Sequence, residues 1–296
     1  MTIQQSYKQL LFQLYEMYGD REAANIADIV IENITGFKKV DRLINKQFLL
    51  NEEQLQLLND YTNELLKHKP VQYVLNEVWF AGMKLYVDEN VLIPRPETEE
   101  LVEWIVKTVA SRKSQVASIL DIGTGSGCIP VALKKKLLSV EVHALDISEE
   151  ALTVAKRNAV TQQTEINFHL LNILDKNLWR QLPKFDIIVS NPPYVTKSEA
   201  SSMQQNVLHR PTLHQHYPNL FLENLLPWPW QSMIPGKGLR PHLPSLFPSV
   251  DLLQCQPSAQ MSSEYLRLML QLRQFLQIIR LHPNPNLMLL LKESGM

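Results

Sequence analysis

Between residues 117 and 190 the chain alternates two textures, and this alternation limits the fold more than any other feature. ASILDIG, VEVHALDIS, INFHLLN and FDIIVS are short runs rich in β-branched and other apolar residues. SGCIPVALKKKL and EEALTVAKRNAV, interleaved with the first three, carry helical spacing. Strand–helix alternation predicts a parallel sheet with helices on its faces, because a parallel pair needs a long crossover. FDIIVS shows no alternating polar face, as expected of a strand buried on both sides. The fold class is therefore α/β, with a parallel sheet and covering helices over residues 96–206.

The first of these strands runs into LDIGTGSG. Glycines at 123, 125 and 127 let the backbone take positive φ and let a ligand approach without meeting Cβ atoms. Gly123, Thr124, Gly125, Ser126 and Gly127 form the expected cofactor-binding turn. Asp146 ends the next strand about 20 residues later, where a carboxylate grips the ribose hydroxyls of a nucleoside. The spacing is G-x-G-x-G rather than that of a dinucleotide site, and Asp121 places a carboxylate where pyrophosphate would be repelled. A nucleoside with a cationic amino-acid end, S-adenosylmethionine, fits better. Asn172, ending FHLLN, stands where an amide can hydrogen-bond the adenine edge. Pro130 is expected to cost the following helix one hydrogen bond and to delay or kink it.

The last strand meets Asn191-Pro192-Pro193-Tyr194. Strand ends at the carboxyl edge of such a sheet surround the ligand crevice. Proline has no N–H, so this turn offers carbonyl oxygens while its φ angles stay fixed. The Asn191 side-chain carbonyl and the Pro192 main-chain carbonyl can accept both hydrogens of a planar NH2 group, with Tyr194 stacked on it. The nitrogen is then aimed at an electrophilic methyl, and catalysis comes from positioning and from stabilising charge on nitrogen. Neither a metal nor a covalent nucleophile is required. Asn191, Pro192 and Tyr194 are the catalytic candidates, and Pro193 completes the substrate-binding turn.

Upstream, residues 1–69 read as a helical bundle. Leu10, Leu11, Leu14 and Tyr15 share one face, as do Ala23, Ile26, Ala27, Val30 and Ile31. Asn51 and Gln54 suit a capping box before a helix carrying Leu55, Leu57, Leu58, Tyr61 and Leu65. Residues 70–95 read as a hairpin linker of short antiparallel strands, broken at Asn76-Glu77 and at Ala81-Gly82. PRPETEELVEWIV then opens a helix, with Pro96 early and Glu97, Glu99 and Glu100 near the positive end of the macrodipole.

After about residue 206 the texture breaks. Residues 207–296 hold 4 of the 30 acidic residues and 11 of the 18 prolines. The expectation here is an atypical Pro-rich tail, from a shifted reading frame or a degenerate sequence. Such a tail leaves the sheet incomplete on its C-terminal side and the activity weak or absent.

Bulk properties exclude broad classes. A net charge of −1 argues against the basic footprint of a nucleic-acid binder. Cys128 and Cys255, far apart in sequence, make no disulfide framework or paired metal motif. No long uncharged apolar run suggests a membrane span, and MTIQQSYKQL lacks the pattern of a signal peptide. A cytoplasmic monomer is the expectation, with no membrane and no direct nucleic-acid partner.

DIGTGSG, ALD and SNPPYV resemble the class I amino-methyltransferases. With PVQYV and IPRPETEELV behind a helical N-terminal region, residues 1–206 resemble one branch, the release factor glutamine methyltransferases (the HemK/PrmC family). The resemblance implies a helical domain for substrate recognition, a hairpin and a Rossmann-like domain, in that order. It implies S-adenosylmethionine-dependent N5-methylation of the glutamine in the Gly-Gly-Gln loop of peptide chain release factors. Asn191 to Tyr194 would hold that glutamine, and Gly123 to Gly127 with Asp146 the cofactor. Asn172 stands where an acidic residue is more usual, and Asn76 where glycine often follows QYVL. N-P-P-Y also occurs in adenine methyltransferases, so a nucleic-acid amino-methyltransferase is one alternative. A non-catalytic product of a shifted frame is the other.

Overall fold

The structure, a computed structural model, describes residues 1–112, 116–173, 175 and 177–191, and the backbone of 288–291. Pro192, Pro193, Tyr194 and the rest of the tail lie outside the described residues. Those described fall into two compact units. Met1–Val78 with Tyr86–Glu89 form one, and Trp79–Leu85 with the described chain from Asn90 the other.

The first unit is helical: α1 (Ile3–Tyr15), α2 (Asp20–Thr35), α3 (Lys39–Ile44), α4 (Glu52–Leu65) and α5 (Val71–Leu75). Helix α4 starts at the anticipated box, in which the Gln54 amide donates to Asn51 Oδ1 at 2.8 Å and the Asn51 amide to Gln54 Oε1 at 3.1 Å. Leu10, Leu14, Ala23, Ala27, Val30, Ile31, Leu58 and Leu65 make the core. Tyr15 and Leu57 lie outside it, on the exposed sides of their helices.

Residues 71–75, expected to be extended, form a helical turn instead. Val71, Val74 and Leu75 stand at helical spacing and join the α-helical core, and that burial outweighs their strand preference. Asn76 ends the turn with φ 52° and ψ 34°. This left-handed geometry explains why glycine suits the position and why asparagine is tolerated there. The hairpin follows as β1 (Glu77–Phe80) and β2 (Met83–Tyr86), turning through Ala81 at φ 49° and Gly82 at φ 76°. Positive φ at both central residues matches the twist of a two-residue hairpin.

The second unit carries α6 (Pro96–Ser111), β3 (Ser118–Ile122), α7 (Cys128–Lys136), β4 (Glu141–Asp146), α8 (Glu149–Thr161), β5 (Asn167–Leu170), β6 (Ile187–Ser190) and β7 (Met288–Leu291). The sheet order is β5-β4-β3-β6-β7, and every pairing is parallel. The chain leaves β3 first to one side and later to the other, so the switch point falls at β3 and β6. Ile119, Leu120, Val142, Ala144, Ile187, Ile188 and Val189 are buried between the layers, as their apolar runs require.

Among the described residues the tail adds one strand to the sheet, β7, which pairs with β6 from Ile187↔Met288 to Ser190↔Leu291. The expectation of an atypical tail otherwise falls on residues outside those described. One expectation needs correction. Pro130 neither delays α7 nor costs it a bond. The helix begins at Cys128, so Pro130 falls in the first turn, where N–H groups have no partner within the helix. The first such bond runs from Val131 N to Gly127 O at 3.0 Å.

Candidate active site

The glycine turn, Asp146, Asn172 and Asn191 all lie at the carboxyl ends of β3, β4, β5 and β6, on one edge of one sheet. Gly123, Gly125 and Gly127 have φ of 72°, 53° and 74°. A Cβ built on Gly123 or Gly125 would meet nothing within 4 Å, so the turn presents bare backbone on an open side. A Cβ on Gly127 would lie 2.9 Å from Ala155 Cβ and 3.1 Å from Ala155 Cα, so this glycine lets α7 and α8 meet.

Four of the five amides of the turn donate within the protein. Gly123 N and Thr124 N donate to Leu145 O at 2.8 and 3.1 Å, and Gly127 N to Thr124 O at 2.9 Å. Gly125 N donates to Asp146 Oδ2 at 2.9 Å. A phosphate cradle needs such N–H groups free, so this turn is unsuited to pyrophosphate. Asp146 also accepts the Ser148 N–H through Oδ1 at 3.1 Å. It therefore organises the turn.

Asp121 is buried, and among the described residues neither of its carboxylate oxygens nor the Thr124 hydroxyl has a hydrogen-bond partner at normal geometry. Burial pushes the Asp121 carboxyl up to about 7, the nearby Thr124 hydroxyl offsets part of this, and the charge of Asp146 adds to it. A cation placed beside this carboxyl would favour its ionised form. The Cys128 thiol is pushed by burial up to about 12, so it packs rather than reacts. Together, an open glycine turn with most of its amides spent and an unsatisfied acid beside it fit a nucleoside with an ammonium-bearing tail. S-adenosylmethionine has this constitution.

Strand β6 is held firmly beside β3. Asp186 Oδ2 accepts from the amides of Ala117 and Ser118 at 2.8 and 3.0 Å at one end. Ser190 Oγ donates to Ile122 O at 2.8 Å at the other. Asn191 follows at once, half-buried, and its Nδ2 donates to Thr98 Oγ1 at 2.9 Å. Asn172 lies just past β5, half-buried, and its main-chain carbonyl accepts from Asp175 N at 3.0 Å.

Sequence reasoning passed over two residues. Thr98 is buried in the first turn of α6 yet reaches Asn191, which stands 93 residues later. Asn158 is buried on α8 and donates to Ser126 O at 2.9 Å, tying the turn to that helix. Both read locally as ordinary polar positions of amphipathic helices.

The topology and the glycine turn define a class I methyltransferase. A family model described as a methyltransferase small domain matches residues 99–213, and one described as a PrmC N-terminal domain matches residues 9–75. Among curated relatives, the release factor glutamine methyltransferase of Flavobacterium psychrophilum is 40% identical over 227 residues, covering 76% of this chain and 77% of that one. The protein of that name from Streptococcus pneumoniae is 44% identical over 196 residues, 66% of this chain and 67% of that one. That from Lactococcus lactis is 40% identical over 198 residues, 67% and 69%. The chain belongs to the release factor glutamine methyltransferase family, and S-adenosylmethionine is its cofactor.

Proposed function

We propose that this protein methylates the side-chain amide nitrogen of a glutamine in a peptide chain release factor, the one in its Gly-Gly-Gln motif. Membership of the family supports the reaction. One observation of the site carries the reading: Asn191 ends the strand beside the glycine turn, with its own amide already anchored.

The amide nitrogen of glutamine is a poor nucleophile, because its lone pair is delocalised, so positioning must supply much of the rate. Bound S-adenosylmethionine supplies an electrophilic methyl on a sulfonium sulfur. Asn191 Oδ1 and the Pro192 carbonyl accept the two N–H groups of the glutamine, and Tyr194 packs on its planar face. These acceptors also stabilise the positive charge that develops on nitrogen. Asp121 faces the cofactor's ammonium, and Asp146 adds a ribose contact to its work on the turn. Asn172 takes the adenine edge. Residues 1–69 serve release factor recognition, residues 70–95 link them to the methyltransferase region at 96–206, and the enzyme acts in the cytoplasm as a monomer.

The test is transfer of labelled methyl from S-adenosylmethionine to a release factor. Label is expected on the factor and is expected to vanish when its Gly-Gly-Gln glutamine is replaced. Label on RNA or DNA instead would favour the base-modifying alternative. Thermal stabilisation by S-adenosylhomocysteine checks for an intact site, which a non-catalytic product would lack. Asn191→Ala is expected to lower kcat/KM by about 100-fold while cofactor affinity is retained.

A further inference from the structure

We infer that Thr98 is a positioning residue for the transfer: its hydroxyl holds the Asn191 amide so that Oδ1, not Nδ2, faces the substrate. The inference rests on the proposed role of Asn191 and adds to it a function for the PRPETE stretch. An asparagine amide presents an acceptor on one side and a donor on the other, and the two faces exchange by rotation about χ2. Only the acceptor face receives an NH2 group, because the flipped amide would set N–H against N–H. Asn191 therefore needs something that fixes its orientation.

The structure supplies one contact of the right kind. Asn191 Nδ2 donates to Thr98 Oγ1 at 2.9 Å, within the same compact unit. Thr98 is only 4% exposed, so water does not compete readily for that oxygen. Its backbone is equally fixed. Pro96 sits in the first turn of α6, and Thr98 N donates to Arg95 O at 3.0 Å. Threonine in a helix is restricted to two χ1 rotamers, and the one adopted here sets Oγ1 against Asn191 Nδ2. On the other side, the Ser190 hydroxyl pins the strand end that carries Asn191 to β3. Backbone and amide of the same residue are thus held from two different elements.

The experiment compares the full chain with Thr98→Val, Thr98→Ser, Asn191→Ala and the Thr98→Val/Asn191→Ala double variant. Valine keeps the shape and removes the acceptor, whereas serine keeps the acceptor. Thr98→Val is expected to lower kcat about tenfold or more, with S-adenosylhomocysteine affinity changed less than about twofold. Thr98→Ser is expected to restore turnover to within about threefold of the unsubstituted chain. In the Asn191→Ala background Thr98→Val is expected to have no further effect, since its action passes through that amide. ¹⁵N NMR of the Asn191 side chain gives a readout apart from turnover. One of its two protons should be deshielded and slow to exchange in the unsubstituted chain and in Thr98→Ser, and should lose both properties in Thr98→Val. An Asn191→Ala defect alongside a fully active Thr98→Val would overturn the role of Thr98 alone. So would independent, multiplying defects of the two. A fully active Asn191→Ala would instead overturn the reading of Asn191 on which the inference stands.

Discussion

A carboxyl group buried without a hydrogen-bond partner carries a cost, and among the described residues Asp121 is such a group. Its ordinary value is 3.8 and its folded value about 7, so the folded chain keeps a proton that the unfolded chain releases. Between those two values the folded state binds more protons, so the stability owed to this group falls as pH rises, then stays level above about 7. A cation beside Asp121 favours the ionised form and expels that proton. S-adenosylhomocysteine affinity is therefore expected to rise with pH up to about 7, by at most about tenfold per unit, then level off. Asp121→Asn should flatten this profile in calorimetry, weaken binding above pH 7, and raise the melting temperature of the ligand-free chain. A profile unchanged by the substitution would remove Asp121 from cofactor binding. Asp146→Ala has a different signature. It strips an acceptor from the amides of Gly125 and Ser148, so it is expected to lower stability by about 1–3 kcal/mol as well as affinity. A denaturant titration that left stability unchanged would refute the turn-organising role.

At the scale of elements, the glycine turn works because α7 and α8 pack against each other through it. Gly127 meets the backbone of Ala155, and Asn158 on the same helix holds the Ser126 carbonyl. Gly123→Ala and Gly127→Ala both place a Cβ on left-handed backbone, at about 1–2 kcal/mol each. Only Gly127→Ala also drives that Cβ into Ala155. It is expected to lower the denaturation midpoint clearly more than Gly123→Ala, and equal losses would show that the helix contact is soft. The main amphipathic helices, the Asn51 cap of α4 and the strand–turn–helix order were legible in the sequence, because each follows from residue spacing and local backbone chemistry. Residues 71–75 were not, because a five-residue apolar run satisfies either period and only the buried neighbours of Val71, Val74 and Leu75 decide. Pro130 was misjudged by where the helix starts, since two residues of difference turn a missing donor into an irrelevant one.

For the whole molecule, the sheet depends on its two ends in sequence. Strand β7 comes from Met288–Leu291 and closes the outer side of β6, on which Asn191 depends for its place. Deleting residues 288–296 would leave a buried apolar strand with an open row of backbone groups, an edge prone to pairing with other chains. That truncation is expected to lower the melting temperature by several degrees and to broaden the size-exclusion profile toward larger species. A monodisperse product with an unchanged melting temperature would show that β6 needs no neighbour there.

By itself the sequence determined the α/β class, the strand–helix alternation from residue 117 to 190, and the cofactor chemistry, because these depend on periodicity, glycine placement and the sign of a charge near the turn. It also set Asn191 directly after a buried strand, since an apolar run followed by Asn-Pro leaves little choice. Tertiary structure alone decided which distant groups meet there. The Thr98 hydroxyl on Asn191, Asn158 behind the turn, Asp146 on the Gly125 amide and β7 beside β6 are all contacts between segments far apart in the chain. No local pattern encodes such contacts. They exist because a sheet of parallel strands gathers its carboxyl ends at one edge, where polar groups denied water must find one another.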